Sequence, residues 1–372
     1  MPADFHVSTP SRLCLFGEHQ DYLGLEVVAV AINLRFRAAV TRRDDSLIRI
    51  AIRDSRLDRL DSVNDQHLYE EEIIDLSRPI IYGKARDYLK SSVRVLQKAG
   101  YPLKGFDLRL DSEIPIGKGM CSSSTMIVVL IKALLEGIGH PDKDDPRQIA
   151  ELAFQAEVAE FNEPGGRMDH YTSALGGMVH LNFSGSFQIE RLATQLAGCF
   201  ILFDSLEQKD TTRVLAASKI PAQEALRQLE PYGISSVRDF LGHDERLAVL
   251  DHLDGFHRQK LMANIENYRL LRCGLAVLAQ QPADDRLLGR LISDHHRQLR
   301  DGLGISTPKI ERILDIAMAN GAYGGKVNGS GGGGCCYVYA DLNDADRIIN
   351  AVEALGCPAR LLRQDNGVRR DD

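Results

Sequence analysis

Apolar positions along the chain follow two periods, and the switches between them mark its elements. Residues 5–34 contain two apolar stretches around a polar loop, a hairpin with a long connection, and residues 35–52 alternate at the two-residue spacing of strands. Leu89, Val93 and Leu96 then recur at helical intervals within residues 83–99, with Gly100 placed to cap the helix. Phe106, Leu108 and Leu110 alternate as a short strand, and the apolar run 126–135, interrupted only by Lys132, predicts a buried helix. A helix over 146–160, a polar strand pair around Phe187 and a buried strand near residue 200 follow. Residues 213–300 read as mostly helical, with Ile265, Leu271, Leu275 and Leu278 on one long core helix and residues 287–299 on another. A helix at 309–320, a strand at 335–340, a helix at 345–355 and a strand at 359–363 close the chain, so the fold class is α+β.

With 372 residues and 44% hydrophobic content the chain is long enough for two cores, and the boundary falls near residue 200. A net charge of −7 without a long basic run argues against nucleic acid and anionic membranes as partners, and leaves room for a small anionic substrate bound locally. No charged-then-apolar leader opens the sequence and no apolar run is long enough to span a bilayer, so a soluble cytoplasmic protein is expected. Seven scattered cysteines without a CxxC pair read as reduced core thiols, and neighbouring His295 and His296 point in different directions on a helix, which disfavours metal ligation there.

Chemistry concentrates in four places. The stretch DSEIPIGKGMCSSSTMIVVLIKALLE, residues 111–136, places Gly117 and Gly119 before three serines that begin the apolar helix. The first N–H groups of a helix lack intrahelical partners and attract anions, so this reads as a phosphate cradle, with an ordinary loop before a core helix as the alternative. Gly119 after Lys118 rules out a Walker A loop, and Ser122 stands where a dinucleotide fingerprint needs its third glycine. Arg12, Glu18, His19 and Asp21 crowd into ten residues between predicted strands and supply directional donors and acceptors for a hydroxyl-rich ligand. Asp169 follows the turn at residues 162–166, either facing a cleft or opening a helix. Finally, GGKVNGSGGGG at 324–334 sits between a helix and a strong strand, which favours close backbone approach over a flexible linker.

Together these stretches resemble the GHMP small-molecule kinase family, and within it the galactokinase branch. SRLCLFGEHQDYLG is similar to that branch's signature, IPIGKGMCSSSTM to the family's phosphate loop and GGKVNGSGGGGCC to its third, glycine-rich motif. AEVAEFNEPGGRMDH and HHRQLRDGLGISTPKIERIL add to the likeness, which fades over residues 205–262. The resemblance implies an N-terminal α+β domain over 1–200, a C-terminal ferredoxin-like α+β domain over 201–372, and an active site in the cleft between them. It implies Asp169 and Arg12 as catalytic residues, and Glu18, His19, Asp21 and Gly166 as sugar contacts. Gly117, Lys118, Gly119, Met120, Cys121, Ser122, Ser123, Ser124 and Tyr88 would bind nucleotide. Ser123 and Glu157 would hold Mg²⁺, and Gly329, Gly331, Gly332 and Gly333 form the third-motif loop.

The expected activity is ATP-dependent phosphorylation of a monosaccharide at its anomeric hydroxyl, with ATP and Mg²⁺ required and the protein a monomer or weak homodimer. Heptose phosphate, uronic acid and mevalonate kinases, or a non-catalytic sugar sensor, are the alternatives. Several residues depart from the pattern. Cys121 replaces a serine, Ser124-Thr125-Met126 replaces small residues, and Ala85 stands where a tryptophan is common. Arg167 adds a positive charge and His170 replaces a glutamine, changes that would suit an acidic substrate or simply a different sugar.

Overall fold

Twelve residues from Phe5 to Phe16 form β1, and nearly all of them are buried on both faces, so this strand runs through the interior rather than along one side of it. The structure, a computed structural model, describes residues 3–53, 69–115, 117–163 and 165–372. Ile116 of the glycine–serine loop and Pro164 of the turn before Asp169 lie outside the described residues.

β1 pairs antiparallel with β2 (Val27–Arg42), and β3 (Leu47–Arg53), β4 (Tyr69–Asp75), α1 (Tyr88–Lys98) and β5 (Phe106–Ser112) follow. Next come α2 (Ser122–Ile138), α3 (Pro146–Phe154), α4 (Met168–Leu175), β6 (Met178–Asn182) and β7 (Gln188–Leu192). The remainder is β8 (Cys199–Asp204), α5 (Thr211–Leu229), α6 (Gly255–Leu278), α7 (Asp285–Arg297), α8 (Pro308–Ala319), β9 (Ala322–Val327), β10 (Cys335–Ala340), α9 (Ala345–Glu353), β11 (Ala359–Leu362) and β12 (Arg369–Arg370).

Two sheets result. The first runs β12-β1-β2-β5-β3-β4, with β6 and β7 attached at β2, and the second runs β11-β8-β10-β9. Among the described residues every strand pairing is antiparallel except β3 with β5. The alternation along β8 explains how the second sheet is clad. Phe200 and Leu202 join a core shared with β1, β2, α2 and α6, while Ile201 and Phe203 pack with Ile310, Ile313 and Ile348 of α8 and α9. The fold is α+β, as the mixed periods predict.

Most predicted elements form with shifted ends. α2 starts at the serines, and the predicted helix 146–160 ends at Phe154 and continues as a π-helical turn, Gln155–Ala159. Asp169 lies in the first turn of α4. Residues 230–252 are largely short 3₁₀ turns rather than regular helix. Of the seven free cysteines, only Cys273 is exposed.

The chain does not finish in the second sheet, as the sequence pattern suggests. After β11 it returns to the first sheet, where β12 pairs with Val7 and Ser8. Arg35, 2% exposed, anchors this return through five hydrogen bonds: to the side chain and carbonyl of Ser8, to the Asp365 carboxylate at 2.7 Å, and to the carbonyls of Asn366 and Gly367. Arg35→Met would leave those acceptors unpaired and should cost about 3 kcal/mol. A lowered Tm with faster carboxypeptidase trimming of residues 364–372 is the expected outcome, and an unchanged Tm would show that the anchor is dispensable.

Candidate active site

Segments from both sheets meet at a cavity of about 370 Å³, within the range of small-ligand sites. Arg12, buried in the middle of β1, lies on its wall. Its Nε donates to Asp169 Oδ1 at 2.8 Å, its Nη2 lies 2.7 Å from the same oxygen, and its Nη1 donates to the Gly119 carbonyl at 3.3 Å. Burial alone would weaken the guanidinium's hold on its proton, but the charge of Asp169 together with those of further neighbours, Glu18 among them, outweighs it and the Arg12 pKa rises, so the group stays charged. One rigid cation therefore fixes the Asp169 carboxylate and the glycine loop together.

The connection after β1 supplies the next wall. Glu18 is buried, and its Oε2 accepts from Lys326 Nζ at 2.8 Å and from the Gly329 N–H at 3.0 Å. Burial pushes its pKa up, Lys326 and Arg12 pull it down, and the net direction is down. His19 sits at φ 63 with both ring nitrogens engaged. Nε2 faces the Ser330 carbonyl at 3.0 Å and must donate, so Nδ1 accepts from the Tyr22 hydroxyl at 2.8 Å. Burial holds its pKa down to about 4, so the ring is neutral at pH 7. Asp21 accepts from the N–H groups of Tyr22 at 2.9 Å and Met168 at 3.4 Å, and burial followed by the nearby charge of Asp169 pushes its pKa up to about 6. Gly166 allows this approach, because a Cβ there would lie 1.9 Å from Asp21 Oδ2.

The opposite end is the N-terminus of α2. Cys121 precedes it at φ 46, and the first helical bond runs from Thr125 N–H to the Cys121 carbonyl at 2.9 Å. The N–H groups of Ser122, Ser123 and Ser124 are thus left without intrahelical partners, in a segment that lines the cavity. Such a terminus is suited to phosphate. Gly117, Gly119 and Tyr88 also line the cavity, with the Tyr88 hydroxyl donating to Glu163 at 2.6 Å. Lys118 and Met120 do not. Lys118 Nζ donates to the Glu207 carbonyl at 3.2 Å and lies 3.5 Å from Asp204, while Met120 is buried against Asn328.

The third-motif loop divides in the same way. Gly329 and Ser330 line the cavity, whereas Gly331, Gly332 and Gly333 lie outside it, against Ile305, Val214 and Glu207. The glycine run serves packing of loop on loop. A Cβ on Gly329 would lie 2.4 Å from the Gly119 carbonyl oxygen, and one on Gly119 would lie 2.6 Å from that of Asn328.

Glu157 is buried in the π-helical turn and lines the cavity. Burial raises its pKa, hydrogen bonds from His170, Ser123 and Ser124 lower it, and the net direction is down, so an ionised carboxylate stands beside two hydroxyls. Such hard oxygen donors suit Mg²⁺. Among the described residues no group of three or more His, Cys, Asp or Glu could hold a metal ion. The protein's share of such a site is therefore small, as fits an ion carried on nucleotide phosphates.

Arg167 does not line the cavity. Its guanidinium lies over the Phe154 ring at 4.0 Å and donates to Glu151, which removes the basis for expecting an acidic substrate from this residue. Sequence reasoning also missed two cations. Lys326 sits inside the glycine motif but had no role assigned to it. Lys209, in the loop between β8 and α5, donates to Ser330 Oγ at 2.9 Å, and burial pulls its pKa down to about 8. No periodicity or spacing marks a lysine that folds inward from a turn.

Fold and site together define a two-domain small-molecule kinase. Family models for the GHMP kinases N terminal domain, the GHMP kinases C terminal domain and the galactokinase galactose-binding signature match residues 87–177, 276–356 and 2–42. The chain belongs to the GHMP kinase family. It is 27% identical to a galactokinase of Streptomyces coelicolor, over 93% of this chain and 87% of that one. It is 26% identical to a mevalonate kinase of Thermococcus onnurineus, over 98% of both chains. Among solved structures, Lactococcus lactis galactokinase complexed with galactose superposes with a TM-score of 0.82 at 18% identity, covering 98% of this chain and 94% of that one. The Methanococcus jannaschii mevalonate kinase gives a TM-score of 0.71 at 19% identity, with 97% and 98% covered. Among the described residues no helix is long and apolar enough to cross a membrane.

The raised pKa of Asp21 has a definite sign in stability. An acid whose pKa is raised on folding, here from 3.8 to about 6, favours the folded state most fully below pH 3.8. That contribution is lost as pH rises through 6. Asp21→Asn should therefore gain stability relative to wild type between pH 4 and pH 7, by about 1–2 kcal/mol after solvent screening. Thermal melts across that range test it, and a pH-independent difference would refute it.

Proposed function

We propose that the protein transfers the γ-phosphoryl group of ATP to a monosaccharide, at the anomeric hydroxyl. The observation that carries this reading is the Arg12–Asp169 pair, in one cavity with the free N–H groups of α2. The match of residues 2–42 to a galactose-binding signature, and relatives named galactokinase, support a sugar as acceptor.

Asp169 takes the proton of the attacking hydroxyl or orients it, while Arg12 holds the carboxylate in place. The hydroxyl oxygen forms a bond to the γ-phosphorus, the bond from that phosphorus to the bridging oxygen breaks, and ADP leaves with the electron pair. Positioning and charge stabilisation carry most of such a reaction, and the Ser122–Ser124 N–H groups supply both. Ser123 and Glu157 are the residues that would hold Mg²⁺, which when bound with ATP shields the phosphate charge. Asp21 and Gly166 stand where sugar hydroxyls would be received. His19 shapes this end indirectly, since its ring nitrogens are already bonded within the protein. The enzyme is expected to work in the cytoplasm, as a monomer or weak homodimer.

A neutral polyol fits the acceptor end better than an acid does. Glu18, Asp21 and Asp169 all line it, and of the two arginines in the cavity wall Arg12 is committed to Asp169 and Arg86 to Glu163. Relatives named mevalonate kinase keep a hydroxy acid on the list of substrates to be tried. An ADP-release screen over hexoses, heptose phosphates, uronic acids and mevalonate separates these outcomes, and turnover confined to mevalonate would overturn the sugar reading. With the preferred sugar, Asp169→Asn should lose about 10²–10⁴-fold in kcat while sugar binding survives. Unchanged turnover would remove Asp169 from the chemistry.

A further inference from the structure

His170 sits between the acceptor end of the cavity and the helix that carries Glu157, and the kinase reading gives it no task. Its ring is 1% exposed, and its Nε2 lies 2.7 Å from Glu157 Oε2. The other nitrogen, Nδ1, is buried with no hydrogen-bond partner among the described residues, so the ring's one hydrogen bond is spent on Glu157. An ionised carboxylate only accepts, which places the proton on Nε2. The edge of Phe154 holds the ring from the side, with centroids 5.8 Å apart and planes at 87°.

Glu157 itself lies in the π-helical turn that follows α3, a rare backbone form that is frequent at functional sites. Its carboxylate lies 2.7 Å from His170 Nε2, and Ser123 and Ser124, which line the same cavity, are close enough to help hold its pKa down. The chain His170, Glu157, Ser123 thus runs from α4 through the π turn to the first turn of α2, where the phosphates are read to bind. A histidine that orients a carboxylate acts on whatever that carboxylate binds.

We propose that His170 is a positioning residue, fixing the Glu157 carboxylate toward the divalent cation carried by the nucleotide and so setting affinity for the metal–nucleotide complex rather than for the sugar. The inference rests on the kinase reading above.

Mn²⁺ binding with a non-hydrolysable ATP analogue, followed by electron paramagnetic resonance, tests it alongside sugar binding by calorimetry. His170→Ala should weaken Mn²⁺–nucleotide binding by about 10-fold or more, the usual effect of removing a partner that orients a metal ligand, and leave sugar affinity unchanged. His170→Gln, which keeps a donor toward Glu157, should recover most of the loss. Equal Mn²⁺ affinity in His170→Ala and wild type would overturn the proposal. So would parallel losses of metal and sugar affinity that His170→Gln does not rescue, since these mark a packing role. If wild type binds no Mn²⁺–nucleotide at all, the kinase reading fails and this inference fails with it.

Discussion

The ion pair between Glu18 and Lys326 is the contact on which the site depends. Their charged atoms lie 2.8 Å apart with side chains 3% and 0% exposed, Glu18 in the loop after β1 and Lys326 on β9, in different sheets. Removing both charges from water is expensive, and an apolar pair of equal size could stabilise as well. Its value is register. Lys326 Nζ also donates to the Cys14 carbonyl, Tyr337 donates to the same oxygen, and the Cys14 N–H donates to Asn328. A seam so defined accepts one relative placement of the two sheets, because any slip would leave a buried charge without its partner.

From that seam the position of the reacting groups follows. Glu18 holds the Gly329 N–H, His19 holds the Ser330 carbonyl, and Asn328 holds the Gly119 carbonyl that also receives Arg12. The third-motif loop is thus tied to the phosphate loop by polar contacts and by glycines too close to admit a side chain. Arg12 belongs to both systems, reaching the glycine loop through one nitrogen and Asp169 through two others. Asp169 is therefore oriented by the same constraint that seats α2, and chemistry that depends on the distance between the two ends inherits a fixed span.

What the sequence disclosed and what it hid divide along physical lines. α2 was legible because an apolar run broken only by Lys132 after three serines has few other solutions, Arg12 and Asp21 because charged residues crowd where a plain turn needs none, and Asp169 because it is an acid set just beyond a glycine turn. Return of the tail to β1 left no trace, since a two-residue strand has no period and its anchor, Arg35, looks like any arginine in an alternating strand. Lys326 was hidden by its setting, a lysine among glycines, although burial makes it the partner of Glu18. Arg167 misled in the opposite sense, because proximity in sequence to Asp169 says nothing of the Glu151 carboxylate that claims it. Local composition reports which residues are available, and only three-dimensional pairing decides which remain free.

The two ends of the cavity differ in which charges remain uncancelled. At the acceptor end each carboxylate is balanced differently: Glu18 by Lys326, Asp169 by Arg12, and Asp21 in part by keeping its proton up to about pH 6. No cation is left over there, among the described lining residues, to neutralise an acidic substrate. Hydrogen-bonding oxygens remain, in fixed positions, and these discriminate among hydroxyl arrangements because a missing partner leaves a buried acceptor unsatisfied. At the other end, the unpaired N–H groups of α2 are of the sign that phosphate requires. Substrate class is thus set by which charges the protein has already cancelled, and a neutral polyol facing a polyphosphate is the pair of ligands that cancels the rest.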